Sequence, residues 1–295
     1  MSRRAVYLGY RGFSLVFNAL PRPLASGLAQ SLSLPMALAL RGRRRMVIRH
    51  LQRACGGRLS GLALERKVQQ VFRSYGLYWM ESFRLASTDP GALDAAMSWE
   101  GVGYVEDALS AGRGVIMALP HLGGWDFGGA WFASAGYPAT VVVEALDPPE
   151  LFEWFTERRR ASGLNVVPYG PAAGGAVLRA LRRNELVGLL CDRDLARTGV
   201  EVEFFGEATT LPAGPATLAL RTGAALLPTA VYFQGRGHLG VIRPPVATDR
   251  RGRLRDDIAR VTQELAGELE SLIGRAPEQW HLLQPNWPSD YDLVD

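Results

Sequence analysis

The chain has 295 residues, 47% of them hydrophobic, which suits one large globular domain and excludes a disordered or low-complexity protein. Two cysteines (Cys55, Cys191) and four histidines form no spaced cluster, so neither a Cys/His zinc site nor a disulfide framework is expected. The net charge of +4 is unevenly spread: residues 1–64 hold eleven arginines and no acid, leaving the remainder net acidic. Such asymmetry points to one end of the chain meeting a polyanionic surface.

Residues 5–20 place Val6, Tyr7, Tyr10, Phe13, Val16, Phe17 and Leu20 at three- and four-residue steps, the period of an amphipathic helix. Pro21 and Pro23 end it, and helical stretches follow over about 24–40 and 41–55. No secretory signal is expected, because Arg11 breaks the first apolar run. Residues 24–40 carry no charge but are too short and too polar for a membrane span. Apolar faces beside arginines suit helices lying in a membrane interface, with arginines on anionic headgroups. A helical cap on the core with a solvated basic edge is the competing reading.

Residues 62–86 repeat the helical period through Val68, Val71, Phe72, Tyr75, Tyr78 and Trp79, an aromatic stripe suited to core packing. Asp89-Pro90-Gly91 breaks the chain. From about residue 98, short β-rich runs alternate with helical stretches. The runs are 115–119, 140–144, 165–167, 186–191, 200–205 and 226–233, with a weaker one at 239–242. Helical patterns fall near 103–111, 125–135, 149–162, 174–183 and 213–223, and a last amphipathic helix covers 254–273. This pattern predicts an α/β fold with a mixed, mainly parallel central sheet flanked by helices, preceded by an N-terminal amphipathic helical membrane-docking segment. The tail from Gln279 to Asp295, rich in Trp, Pro and Asp, reads as an ordered irregular segment.

The informative stretch is Gly114-Val-Ile-Met-Ala-Leu-Pro-His-Leu-Gly-Gly-Trp-Asp-Phe-Gly-Gly. Pro120 stops a buried strand, and His121 follows at its carboxyl end, where open α/β sheets place ligands. Gly123 and Gly124 allow a tight turn, and a helix starts near Trp125. Asp126 lies five residues after His121. On a continuous helix those two positions diverge by about 140°, so they meet only if the glycines bend the chain. The alternative is a capping aspartate beside an unrelated loop histidine.

His121-Leu-Gly-Gly-Trp-Asp126 resembles the H-x4-D motif of glycerolipid and lipid A-type acyltransferases. A closer likeness is to the actinobacterial phosphatidylinositol mannoside acyltransferases. It is carried by Glu144-Ala-Leu-Asp-Pro-Pro-Glu-Leu-Phe with Arg159-Arg-Ala-Ser-Gly163, by Asp192-Arg-Asp-Leu with Gly199-Val-Glu-Val-Glu-Phe-Phe-Gly206, and by Leu211-Pro-Ala-Gly-Pro215. It runs from the N-terminal helices to the Gln279-Trp-His region. The likeness implies one acyltransferase domain over 1–295, with a basic amphipathic segment (1–60) and an α/β catalytic core (98–295). It further implies transfer of a fatty acyl chain, palmitoyl by expectation, from acyl-CoA (or acyl-carrier protein) to a mannose hydroxyl of the glycolipid. The likeness also implies that the reaction takes place at an anionic membrane surface, on the cytoplasmic face of the plasma membrane.

His121 would be the general base and Asp126 the acceptor for its other ring N–H. In the resembling family, positions such as Glu144, Arg159, Asp192, Arg193 and Glu201 line the acceptor pocket or support the dyad. Backbone N–H groups around Gly123, Gly124 and Trp125 are candidate oxyanion donors. Arg158 to Arg160 read as a solvated helix face or a contact for carrier phosphates. Cys191 reads as buried rather than nucleophilic. No metal and no cofactor beyond acyl-CoA as co-substrate are implied. Three rival readings compete with this one: a transferase acting on another glycolipid or a lysophospholipid, a hydrolase, and a non-enzymatic membrane or nucleic-acid binder. The hydrolase lacks a G-x-S-x-G elbow, and no nucleic-acid-binding module is present.

Overall fold

The computed structural model describes residues 3–291. Four helices open the chain: α1 (Arg3–Ala19), α2 (Arg22–Ala39), α3 (Arg41–Ala54) and α4 (Gly61–Arg84). Then come α5 (Pro90–Ala95), β1 (Met97–Glu100), α6 (Gly103–Ser110), β2 (Val115–Leu119), α7 (Trp125–Ser134), β3 (Ala139–Val143), α8 (Pro149–Ala161), β4 (Asn165–Pro168), α9 (Ala173–Arg182) and β5 (Leu186–Leu190). The hairpin β6 (Val200–Phe204) and β7 (Glu207–Leu211) precedes α10 (Gly214–Thr222), β8 (Ala225–Gln234), β9 (Gly237–Ile242), α11 (Leu254–Arg275) and the short α12 (Pro288–Tyr291).

The seven-stranded sheet has the order β1-β9-β8-β2-β5-β3-β4. Only the β8/β9 pair is antiparallel, so the sheet is mixed and mainly parallel as expected. The run at 200–205 is a correction. It does not join that sheet but pairs with β7 in a separate two-stranded one, where Glu201 and Glu203 point to solvent and Val202 and Phe204 pack inward. The strand β1 was not foreseen, because Met97–Glu100 is short and half exposed.

The N-terminal helices are welded to the core rather than loosely attached. Ala25, Ala29, Ser33 and Ala37 make a four-residue repeat that is the buried seam of α2. The seam faces α4, where a Cβ at Gly76 would lie 2.8 Å from the Ala29 carbonyl oxygen. Small residues at this crossing let the two backbones approach, and they turn the larger Leu24, Leu32, Leu34 and Leu38 outward. On α1, Phe17 is buried and Tyr10 packs edge-on to Trp79 and Phe155, while Leu8, Phe13, Leu15 and Val16 are exposed. Beyond residue 62 the only large exposed hydrophobics among the described residues are Tyr104 and Tyr169. The exposed apolar surface is therefore concentrated on the first helices. Among the described residues no single helix is long and apolar enough to cross a membrane; α2 and α3 meet at a 100° bend.

The arginines of this segment divide into two groups. Arg22, Arg44, Arg49 and Arg53 pair with Glu81, Glu65 and Asp290, and Arg3 with Asp147. Arg4, Arg11, Arg41, Arg43, Arg45 and Arg58 have no acid partner among the described residues. The basic run is thus partly an internal clamp. Asp290 has no exposed surface and accepts from Arg53 at 2.8 Å and from the backbone N–H groups of Asn286 and Trp287, with Arg49 and His50 alongside. This ties the C-terminal tail to α3 and accounts for its order; residues 292–295 of the tail lie outside the described residues.

Burial works against the Asp290 charge, but the hydrogen bonds from His50, the backbone and Arg53 hold its pKa well below the ordinary carboxylate value. A carboxylate depressed on folding contributes stability above its unfolded pKa of about 3.9, lost as pH falls towards the folded value. Asp290→Asn should therefore lose roughly 3–5 kcal/mol near neutral pH, since it removes the buried carboxylate that Arg49, His50 and Arg53 share and leaves Arg53 with Glu207 as its one acid partner among the described residues. Its denaturation midpoint should also vary less than wild type below about pH 4, where the carboxylate of the unfolded wild-type chain takes up a proton while the folded one stays ionised.

Candidate active site

β2 and β5 are neighbours in the sheet, parallel and in register, with Leu119 opposite Leu190. His121 and Asp192 each stand two residues beyond that matched pair, at the carboxyl edge of the sheet. The register brings them together. His121 Nδ1 lies 2.7 Å from Asp192 Oδ1, and the His121 backbone N–H donates to Oδ2 at 3.0 Å. The Trp280 indole N–H donates to Oδ2 at 2.7 Å. Asp192 is fully buried, whereas the His121 side chain is 27% exposed. Burial favours the neutral acid, but the charge of His121 and the bonds from its ring, from Trp280 and from the His121 backbone outweigh it and lower the Asp192 pKa. An ionised Asp192 fixes the proton on Nδ1 and leaves the lone pair on Nε2.

Asp126 is elsewhere engaged, which corrects the expected His121–Asp126 contact. The two residues share a cavity wall but no hydrogen bond. Arg159 grips both carboxylate oxygens of Asp126, through Nε at 3.1 Å and Nη2 at 2.8 Å. Tyr78 adds a bond at 3.1 Å and Ser82 one at 3.4 Å. Burial alone would lower the Arg159 pKa, but Asp126 and Tyr78 raise it, so the guanidinium stays charged. Burial and the Asp126 charge hold the Tyr78 phenol well above its usual value, so it stays a donor. The same Tyr78 ring stacks on Trp125 at 4.0 Å, and Trp125 meets the His121 ring edge-on at 5.6 Å. Asp126 thus touches His121 only through an aromatic relay.

The bend between β2 and α7 is tightly specified. Gly123 has φ +61°, and a Cβ there would sit 2.0 Å from the Val231 carbonyl oxygen. The Gly123 N–H donates to the Gln279 carbonyl at 2.9 Å and the Gly124 N–H to that of Val231 at 2.8 Å. Both donors are consumed, so two of the three expected oxyanion donors are not available. Trp125 N–H, in the open first turn of α7, has no such backbone partner.

A cavity of about 360 Å³ opens beside His121. Alternate residues of three adjacent strands form one wall: Met117 and Leu119 of β2, Leu186 and Gly188 of β5, Ala139 and Val141 of β3. Gly128, Gly129 and Phe132 of α7 form the opposite wall. From Val143 to Ala139 the cavity follows the strands for about 13 Å at 3.3 Å per residue. It is apolar within and polar at the mouth, where Glu144, Arg193, Arg43 and Gln284 gather with His121.

Of the residues singled out in the sequence, His121, Asp126, Glu144, Arg159 and Arg193 line this cavity. Asp192 supports it from behind. Glu201 does not; it projects from β6 into a separate surface cavity with Asp194 and Arg197. Arg158 is not a solvated cation either, since it turns inward to the Phe83 carbonyl and lies over Trp154. Cys191 is buried, and burial with the nearby Asp192 charge pushes its thiol far up, against a nucleophilic role. Sequence reasoning missed Trp280, Tyr78 and His281. The last has Nε2 2.8 Å from the Ser74 hydroxyl, and burial and His121 lower its pKa to about 3, so it is neutral. The adjacency of Pro-His after one strand and Asp after another was the available signal, but strand order was not.

A histidine whose Nδ1 is held by a buried carboxylate, open to a long apolar cavity, suits transfer chemistry on a substrate with a fatty tail. The chain belongs to the bacterial lipid A biosynthesis acyltransferase family, whose model matches residues 1–289, and it is an acyltransferase. It is 35% identical over 289 residues to the phosphatidylinositol mannoside acyltransferase of Mycolicibacterium smegmatis, covering 96% of this chain and 91% of that protein. It is 40% identical over 225 residues to the protein of the same name from Mycobacterium tuberculosis (strain ATCC 25618 / H37Rv), covering 74% of this chain and 69% of that one.

The bend offers a structural test. Gly123→Ala should destabilise the fold by several kcal/mol, because a Cβ meets a backbone carbonyl that cannot yield, and the thermal midpoint should drop by ~10 °C or the protein fail to fold.

Proposed function

We propose that the protein moves a fatty acyl chain, palmitoyl by preference, from acyl-CoA to a mannose hydroxyl of a phosphatidylinositol mannoside. The observation that carries this reading is the His121 ring, oriented by Asp192 and placed at the mouth of the strand-lined apolar cavity. The acyl chain lies along β2, β5 and β3, with its thioester carbonyl at the mouth. Nε2 of His121 takes the proton of the acceptor hydroxyl as its oxygen attacks the carbonyl, and the thiolate of the carrier leaves. Asp192 stabilises the imidazolium that forms. His121 then returns the proton to the departing sulfur. Asp126 and Arg159 act as positioning residues, holding α7 and Trp125 against His121. Acyl-CoA is a co-substrate, and the reading requires no other cofactor.

The two relatives' names support the acceptor choice. The exposed leucines and phenylalanine of α1 and α2, with Arg4, Arg11, Arg41 and Arg45 of the first three helices lacking an acid partner among the described residues, support docking on the anionic cytoplasmic face of the plasma membrane.

Incubation with radiolabelled palmitoyl-CoA and a panel of lipid acceptors, beside His121→Ala, tests the reading. Label should move to the mannosylated phosphatidylinositol and fall at least ~10²-fold in the variant. Transfer only to a lysophospholipid or another glycolipid would overturn the acceptor, and transfer only from acyl-carrier protein would overturn the donor.

Ala139→Phe should shift preference towards shorter donors, since each methylene denied burial costs about 0.8 kcal/mol, close to fourfold in affinity. An unchanged chain-length profile would place the acyl chain elsewhere. Leu15→Glu with Leu38→Glu should sharply reduce sedimentation with anionic vesicles while the free protein stays folded.

A further inference from the structure

Two guanidinium groups stand at the mouth of the His121 cavity without adequate counter-charge. Arg43, on α3, lines the cavity and has no acid partner among the described residues. On the same helix Arg44, Arg49 and Arg53 are paired with acids, and of the three arginines there without an acid partner (Arg41, Arg43 and Arg45) Arg43 is the one that lines the cavity. Arg193, directly after Asp192, has one acid contact among the described residues, Glu144 at 3.8 Å, beyond hydrogen-bond distance, and the Glu144 side chain is itself 56% exposed. The other acid on the cavity wall, Asp126, is already neutralised by Arg159. Gln284 adds an amide at the same rim.

We infer that Arg43 and Arg193 form a phosphate subsite at the cavity mouth, which binds a phosphate ester belonging to one of the two co-substrates. The inference rests on the transferase reading above and adds to it the part of the substrate that is gripped. Guanidinium forks suit phosphate oxygens, and two of them beside a low-dielectric cavity form stronger charge-assisted bonds than in open water. An anion held there fixes the polar portion of a substrate whose reacting group must reach His121, which is the entropic advantage of orientation. It also couples the site to the membrane-facing helices, because Arg43 belongs to the bent α2–α3 pair. The phosphate comes either from the phosphoinositol of the acceptor or from the phosphopantetheine and nucleotide of the carrier.

The test is equilibrium binding of two soluble probes, coenzyme A and glycerophosphoinositol, to wild type, Arg43→Gln, Arg193→Gln and the double variant, with thermal melts to verify folding. Each single change should weaken one probe about tenfold, and the double variant about a hundredfold or more. Loss for glycerophosphoinositol alone assigns the subsite to the acceptor, and the KM for the glycolipid should rise with little change in kcat. Loss for coenzyme A alone assigns it to the carrier, and the donor KM should rise instead. Equal affinities in all four proteins, or no binding of either probe to wild type, overturns the subsite. Wild-type binding that the variants lose, without acyl transfer to any acceptor, keeps the subsite and overturns the transferase reading. Arg193→Lys, which keeps the charge but not the fork, should recover part of the loss.

Discussion

The buried carboxylate of Asp192 is the constraint around which the site is organised. A charge with no exposed surface persists only when donors surround it, and here three donors come from two parts of the chain: the ring and the backbone N–H of His121, and the Trp280 indole. The β2/β5 register supplies the first two. The C-terminal tail supplies the third, and that tail is itself held on α3 by the buried Asp290 cluster. The N-terminal helices, the tail and the sheet are therefore mechanically joined at His121. Such a carboxylate orients the imidazole before any substrate arrives, which is the form of preorganisation that catalysis by a histidine base requires.

The acid of the H-x4-D stretch serves a different purpose. Asp126 is bound by a bidentate arginine from α8 and by two hydroxyls from α4, so it fastens the start of α7 to the helical layer. From there the influence passes by packing, through the Tyr78 ring to Trp125 and on to the edge of His121. The five-residue spacing spans a glycine bend that leaves His121 on the strand side with Asp192 and Asp126 on the helix side with Arg159, so the bend did not bring about the contact expected of it.

Much of the architecture was legible because it depends on local pattern. The apolar runs of β2, β3, β5 and β8 and the periodic faces of α4 and α11 mark themselves by composition. Pro120, Gly123 and Gly124 marked the turn that carries His121. What escaped depends on which strands are neighbours. The partner of His121 could be named as a candidate but not chosen, because Asp126 is near in sequence and Asp192 is near only once β5 lies beside β2. Glu201 was misplaced for the same reason: its strand looked like the others but pairs in a separate hairpin. The eleven arginines likewise read as one basic surface, although acids from distant parts of the chain neutralise several of them.

The proton on His121 Nδ1 reports the central claim directly. Its NMR resonance, in protein labelled at histidine nitrogen, should appear strongly downfield, as expected for a short bond to a carboxylate. It should persist in Asp126→Asn and vanish or move upfield in Asp192→Asn. A resonance that survives in Asp192→Asn and is lost in Asp126→Asn would contradict the account, and would make the aspartate five residues away the true partner of the base.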